Sequence, residues 1–123
     1  MILVLLYMAL FGGGGVTLVQ DIEKPVKEYV QDAVRVKQIL VLNEEMLDTE
    51  AALQKELKAA KKELAKLNGN RLSSEAEITA TFQAMEQKRA EARTKIVSDR
   101  SKMKDLMTAE EWRSVYAPPK PKA

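Results

Sequence analysis

The chain contains no cysteine and no histidine. Without cysteine there is no disulfide, no thiol chemistry and no thiolate-bound metal. Without histidine the commonest metal ligand and the usual general base are missing. Aromatic residues make up 5% of the 123 residues, and there are only five glycines and four prolines. A chain so poor in aromatics and turn formers does not build a sheet or a thick globular core; the profile, rich in Ala, Glu, Lys, Leu and Arg, belongs to long helices. No P-loop, glycine-rich dinucleotide turn, nucleophile elbow or metal-ligand spacing occurs. Two helices offer a ridge and a shallow groove rather than a shielded pocket where catalytic groups converge. The chain is therefore read as non-catalytic, with no catalytic residue, no cofactor and no metal site.

An excess of charge of one sign is lacking too. Twenty basic and 18 acidic residues leave a net charge of +2. The densest basic run is Lys55, Lys58, Lys61, Lys62 and Lys66, interrupted by Glu56 and Glu63. Its default reading is a solvated helix face. A nucleic-acid or anionic-lipid patch is the sharper reading, and no interleaved aromatics support it, so no nucleic-acid partner is expected.

The N-terminal stretch "MILVLLYMALFGGGGVTLVQ" carries no charged side chain before Asp21. As a helix at about 1.5 Å per residue it would be close to 30 Å long, the thickness of a bilayer core. The alternative is a cleaved signal peptide, but no Lys or Arg precedes the apolar run and no A-x-A-like site follows it. Residues 1–20 are thus expected to form an uncleaved transmembrane helix, placing the chain in the inner membrane. Four consecutive glycines would cost a soluble helix about 3–4 kcal/mol relative to alanine. In a membrane, small residues let another helix approach closely, so Ala9, Gly12, Gly13 and Gly15 form a candidate packing face for a membrane-protein partner. Lys24, Lys27, Arg35 and Lys37 follow the apolar run and none precedes it, which by itself favours a cytoplasmic C-terminal part.

Residues 21–116 carry a helical hairpin pattern. Pro25 suits a first helical turn. From Val26 the spacing predicts one continuous or gently kinked helix to about Leu67, with Ile39 to Leu42 covered on more than one side. Met46, Glu50, Leu53, Leu57, Ala60, Leu64 and Leu67 alternate steps of four and three, a heptad seam with one polar member. Asn68, Gly69 and Asn70 suit a left-handed helix stop. Ser74 with Glu77 is a capping box that opens a second helix, so the turn lies near 68–74. The second seam runs Ile78, Phe82, Met85, Arg89, Ala92, Ile96, Asp99, Met103 and Leu106. A short loop makes the two helices antiparallel neighbours. Pairing Leu67 with Ile78 sets Leu53 against Ala92 and Met46 near Asp99. Glu56 is then expected to meet Arg89 or Arg93, and Glu50 to meet Lys95. Met46, Met85, Met103 and Met107 read as seam packing, since thioethers fill irregular gaps.

"LMTAEEWRSVY" restarts a helix near the end of the chain. Thr108 with Glu111 is a second capping box, and Trp112 and Val115 follow on one helical face. A short helix over 108–116 is expected to turn Trp112 and Tyr116 back onto the hairpin or towards a partner. Pro118 and Pro119 end it, leaving 117–123 as an extended tail.

This last arrangement resembles the Spy/CpxP-like periplasmic family and its membrane-anchored relatives. Their hallmark is an L-T-x-x-Q motif that opens a helix after a long amphipathic one. Here Met107 stands in the Leu position, Thr108 matches and Glu111 replaces Gln. Ser73 to Tyr116 carries the likeness. There is no good first copy of the motif before Asn68, and the metal-binding histidines of the sensor relatives are absent, so metal sensing is not carried over. The resemblance implies a periplasmic hairpin, dimerisation in some members, and a chaperone or envelope-stress role. Thr108, Glu111, Trp112 and Tyr116 become candidate interaction residues. The expected protein is all-α: a membrane-anchored hairpin acting as an accessory or structural subunit of a membrane complex, with a homodimer allowed. A cytoplasmic stalk similar to subunit b of rotary ATP synthases is the competing reading, opposed by the turn at 68–74.

Overall fold

The computed structural model describes residues 19–117. Four helices follow in order among them: α1 (Glu23–Tyr29), α2 (Ala33–Gly69), α3 (Glu75–Asp105) and α4 (Ala109–Val115), with no strand. The two long helices pack side by side as an antiparallel hairpin, while α1 packs on both α2 and α4. Among the described residues no helix is long and apolar enough to cross a membrane. Ala9, Gly12, Gly13 and Gly15 lie outside the described residues, as does the tail beyond Ala117.

The expected register holds. Leu53 and Ala92 are buried in one cluster, and Glu56 lies 3.9 Å from Lys88, about one turn further along the pairing. The partner is Lys88 rather than Arg89 or Arg93; Arg89 instead pairs with Glu86 within its own helix. Leu53, Leu57, Met85 and Ala92 form one buried cluster along the distal seam. Met46, Met103 and Met107 are buried in a second, larger cluster with Ile39, Val19, Ile22, Val26, Val30 and Val115. All four seam methionines are therefore packing residues, each burial contributing about 1.5–3 kcal/mol.

Three local expectations are corrected. The first long helix is not continuous from Val26: it breaks at Val30–Asp32. Asp32 is the cause, because its carboxylate accepts the N–H groups of Val34 and Arg35 at 2.9 and 3.2 Å and so starts a new helix. A side-chain acceptor at this position satisfies orphan donors that an unbroken helix would not have. The helix stop near Gly69 is not left-handed either. Asn70 is extended, with φ −99° and ψ 109°, and its side chain accepts the N–H of Leu72 in a local turn. Its own N–H reaches back to the carbonyls of Lys66 and Leu67, which closes the helix without positive φ. Finally, Val19 and Gln20 do not belong to an N-terminal helix. They are non-helical, and Val19 is buried against the hairpin.

Ser74 accepts the Glu77 N–H at 3.1 Å, as its spacing predicts. Glu77 answers through the Ser74 hydroxyl, which donates to its carboxylate, so the reciprocal bond differs from the usual box. Ile39 is fully buried, Leu40 and Leu42 are half-buried, and Val41 is exposed, so the apolar run is covered over most but not all of its girth.

Candidate functional site

Two side-chain assemblies at the open end of the hairpin fasten the ends of the described chain. The first begins at Asn43. This residue is buried in the middle of α2, where a polar amide needs partners. Its Nδ2 donates to the Gln20 carbonyl at 2.8 Å, and its Oδ1 accepts the Ile22 N–H at 3.2 Å. It brackets the non-helical segment much as a neighbouring strand would. Two turns further along α2, the buried carboxylate of Glu50 accepts the Val19 N–H at 2.9 Å. Glu50 thus serves the N-terminal strap and does not form the expected bridge to Lys95. The strap's own apolar side chains, Val19 and Ile22, close over the cluster beneath.

The second assembly begins at Thr108. Its hydroxyl accepts the Glu111 N–H at 3.1 Å, and the Glu111 carboxylate accepts the Thr108 N–H at 2.8 Å. The capping box is complete, as the T-x-x-E spacing predicts. Arg35, from the first turns of α2, then enters the same carboxylate. Its Nη1 and Nη2 donate to the two oxygens at 2.7 and 3.1 Å, and Nη1 also donates to the Leu106 carbonyl at 2.9 Å. One guanidinium therefore closes the C-terminal end of α3 and the N-terminal end of α4 against the start of α2. Its planar fork matches a carboxylate on both oxygens, which a lysine cannot do. The Arg35 bonds, followed by the Thr108 N–H, hold the Glu111 carboxyl down at about 2, while the Glu111 contact raises Arg35 above its ordinary value.

Trp112 and Tyr116 follow on α4. Their ring centroids are 4.7 Å apart, and the Arg100 guanidinium lies 5.0 Å from the Trp112 ring centroid. Both rings pack on the large apolar cluster, and the Tyr116 hydroxyl points to the Met103 sulfur at 3.5 Å. Burial pushes the Tyr116 phenol up. The structure brings all four C-terminal candidates together and folds them back onto the hairpin. Of the two readings open for Trp112 and Tyr116, the fold-back is the one observed.

Sequence reasoning missed Arg35, Asn43 and the strap. The signal for Asn43 was present, since an amide between Leu42 and Met46 on a covered face demands a tertiary partner. Nothing local marked Arg35, whose partner is 76 residues away. Asp99 is a further buried carboxylate on the seam, and its Oδ2 has no hydrogen-bond partner among the described residues. Nearer the base, Val41, Leu42 and Leu106 line an open, mainly apolar groove with Lys37, Lys102 and Asp105. No family model, no curated protein and no solved structure matches the chain.

Proposed function

We propose that the chain is a non-catalytic, membrane-anchored interaction protein: an accessory or structural subunit of a bacterial inner-membrane complex with its hairpin in the periplasm. The observation that carries this reading is the clamped strap. Asn43 and Glu50 tie the chain immediately after the apolar N-terminal segment into the hairpin. A flexible tether needs no such clamp, whereas a subunit that must hold a fixed pose relative to its anchor does. With Val19 and Gln20 in the strap, the anchor is confined to residues 1–18, about 27 Å as a helix at about 1.5 Å per residue, enough for a bilayer core. Ala9, Gly12, Gly13 and Gly15 are its packing face towards a partner's helix. The hairpin adds a long, narrow, charged surface that suits protein contacts better than small-molecule capture.

The compartment is tested with a Ser101→Cys variant, unique because the chain has no other cysteine. A membrane-impermeant thiol reagent applied to cells with a permeabilised outer membrane is expected to label it. Protection until the inner membrane is broken puts the hairpin in the cytoplasm and promotes the stalk reading. A monomer in mild detergent with no co-purifying membrane protein removes the subunit reading.

The second reading is a chaperone or stress modulator similar to the Spy/CpxP-like family. It is favoured by the apolar groove at Val41, Leu42 and Leu106 and by exposed Val34. It requires the protein, in several-fold excess, to suppress aggregation of an unfolded client. No suppression removes it.

A further inference from the structure

The strap has a direction. Ile22 is held at the level of Asn43 and Val19 at the level of Glu50. Three non-helical residues span about 10 Å, and the seven-residue step along α2 spans about 10.5 Å. Between Val19 and Ile22 the strap therefore runs antiparallel to α2, and Val19, the first described residue, sits at mid-length of the hairpin. Gly69, the last residue of α2, lies 19 residues beyond Glu50, about 28 Å further on. Residues 1–18 thus join the hairpin beside Glu50, at the border of its distal half.

Charge divides the hairpin at the same place. Residues 54–90 carry eight basic and five acidic side chains, a net charge of +3. The remaining described residues, 19–53 and 91–117, carry ten basic and 13 acidic side chains, a net charge of −3. Within the distal half Lys55, Lys58, Lys62 and Lys66 are all exposed. At about 100° per residue they fall within an arc of about 80° on the side of α2 opposite Leu53, Leu57 and Leu64. Glu56 and Glu63 lie off that arc. The sequence shows a basic run broken by acids; the helix sorts the acids away and leaves a stripe of lysine and alanine. At the turn, Arg71 precedes Leu72, whose side chain is 88% exposed.

We propose that the distal half of the hairpin lies along the bilayer surface, with Lys55, Lys58, Lys62 and Lys66 on anionic lipid headgroups. This rests on the anchor reading above. The anchor supplies proximity, and the stripe supplies charge complementary to an anionic leaflet, an attraction that salt screens within a Debye length. The base, of opposite net charge, is held away from the lipid and kept free for protein partners.

The test uses the full chain reconstituted into vesicles, with a polarity-sensitive fluorophore on an Ala59→Cys variant. Ala59 is exposed and sits among the four lysines. Acrylamide in the aqueous phase is expected to quench this label several-fold less in phosphatidylcholine–phosphatidylglycerol vesicles than in phosphatidylcholine alone. High salt should restore quenching, as should Lys58→Glu, Lys62→Glu and Lys66→Glu together, with helicity by circular dichroism unchanged. A label on Ser101→Cys at the base should be quenched equally in both lipids. Equal quenching at Ala59 in both lipids, in a chain that resists alkaline extraction, overturns the headgroup contact and leaves the anchor standing. Release of the chain by alkaline extraction overturns both. Shielding by single-stranded RNA but not by anionic lipid overturns the proposal in favour of a nucleic-acid partner.

Discussion

The base of the hairpin and its distal half share the same two helices, yet they are held together differently. At the base the α2–α3 seam is wrapped by the strap, α1 and α4, and Ile22, Val26, Ile39 and Met103 are almost completely inaccessible. Along the distal seam only Leu53, Leu57, Met85 and Ala92 are buried, and Phe82, although on that seam, is 47% exposed. Two helices alone bury a strip; a third and fourth element are needed to bury a centre. The added elements are short, and none of them would be stable alone. They persist because their apolar side chains join the core cluster, and because Asn43 and Glu50 bond the strap's backbone while Arg35 grips the Glu111 cap of α4. The base is thus the stable body, and the distal half is a projecting arm whose outer surface is free to carry charge.

The largest effect that can break this comparison is a cavity. Met103→Ala should cost about 2–5 kcal/mol in urea unfolding, because its site is enclosed and cannot collapse. Leu57→Ala should lie at the low end, about 2 kcal/mol, since the open groove relaxes around it. Equal costs would show that the base is no better packed than the arm.

Next is the strap. Asn43→Leu keeps the shape and removes both bonds, leaving the Gln20 carbonyl and Ile22 N–H without protein partners. A loss of about 1–3 kcal/mol is expected. Hydrogen exchange at Ile22 should quicken far more than at Leu57. An unchanged Ile22 would show that apolar contact alone seats the strap.

The C-terminal knot is sharpened by pH. Because the folded carboxyl of Glu111 sits at about 2, below its ordinary 4.5, its contribution is complete above about 4.5 and is lost as pH falls towards about 2. Trp112 fluorescence should report α4 loosening in that window, and Arg35→Met should loosen it already at neutral pH. Thr108→Ala, which removes the cap but keeps Arg35, should cost about 1 kcal/mol. A flat acid profile in the native protein would show that packing of Trp112 and Tyr116 suffices without the ion pair.

The smallest effect is expected at the tip. Leu72→Ser should change stability by no more than about 0.5 kcal/mol, since the side chain touches little. A larger loss would mean that the turn contributes to the fold and is not simply the end of the arm.

Helical class, the two seams, their register and both capped helix starts at Ser74 and Thr108 were legible in the sequence. Each depends on residues three or four positions apart, and the period of the helix makes such neighbours touch whatever the rest of the chain does. The break at Asp32 was readable in principle by the same rule, but Val26 to Val34 also fits an uninterrupted helical period, and periodicity concealed the cap.

What the tertiary structure alone decided is which polar groups the seams and helix ends are used for. Glu50 reads as a seam acid with a lysine partner, yet it holds a backbone N–H of the strap. Glu111 reads as a cap, yet it is also the anchor for Arg35 from the other end of the sequence. Hydrogen-bonding capacity is local to a residue, whereas its partner is chosen by whichever distant segment arrives with an unsatisfied group, and spacing along the chain does not encode that arrival.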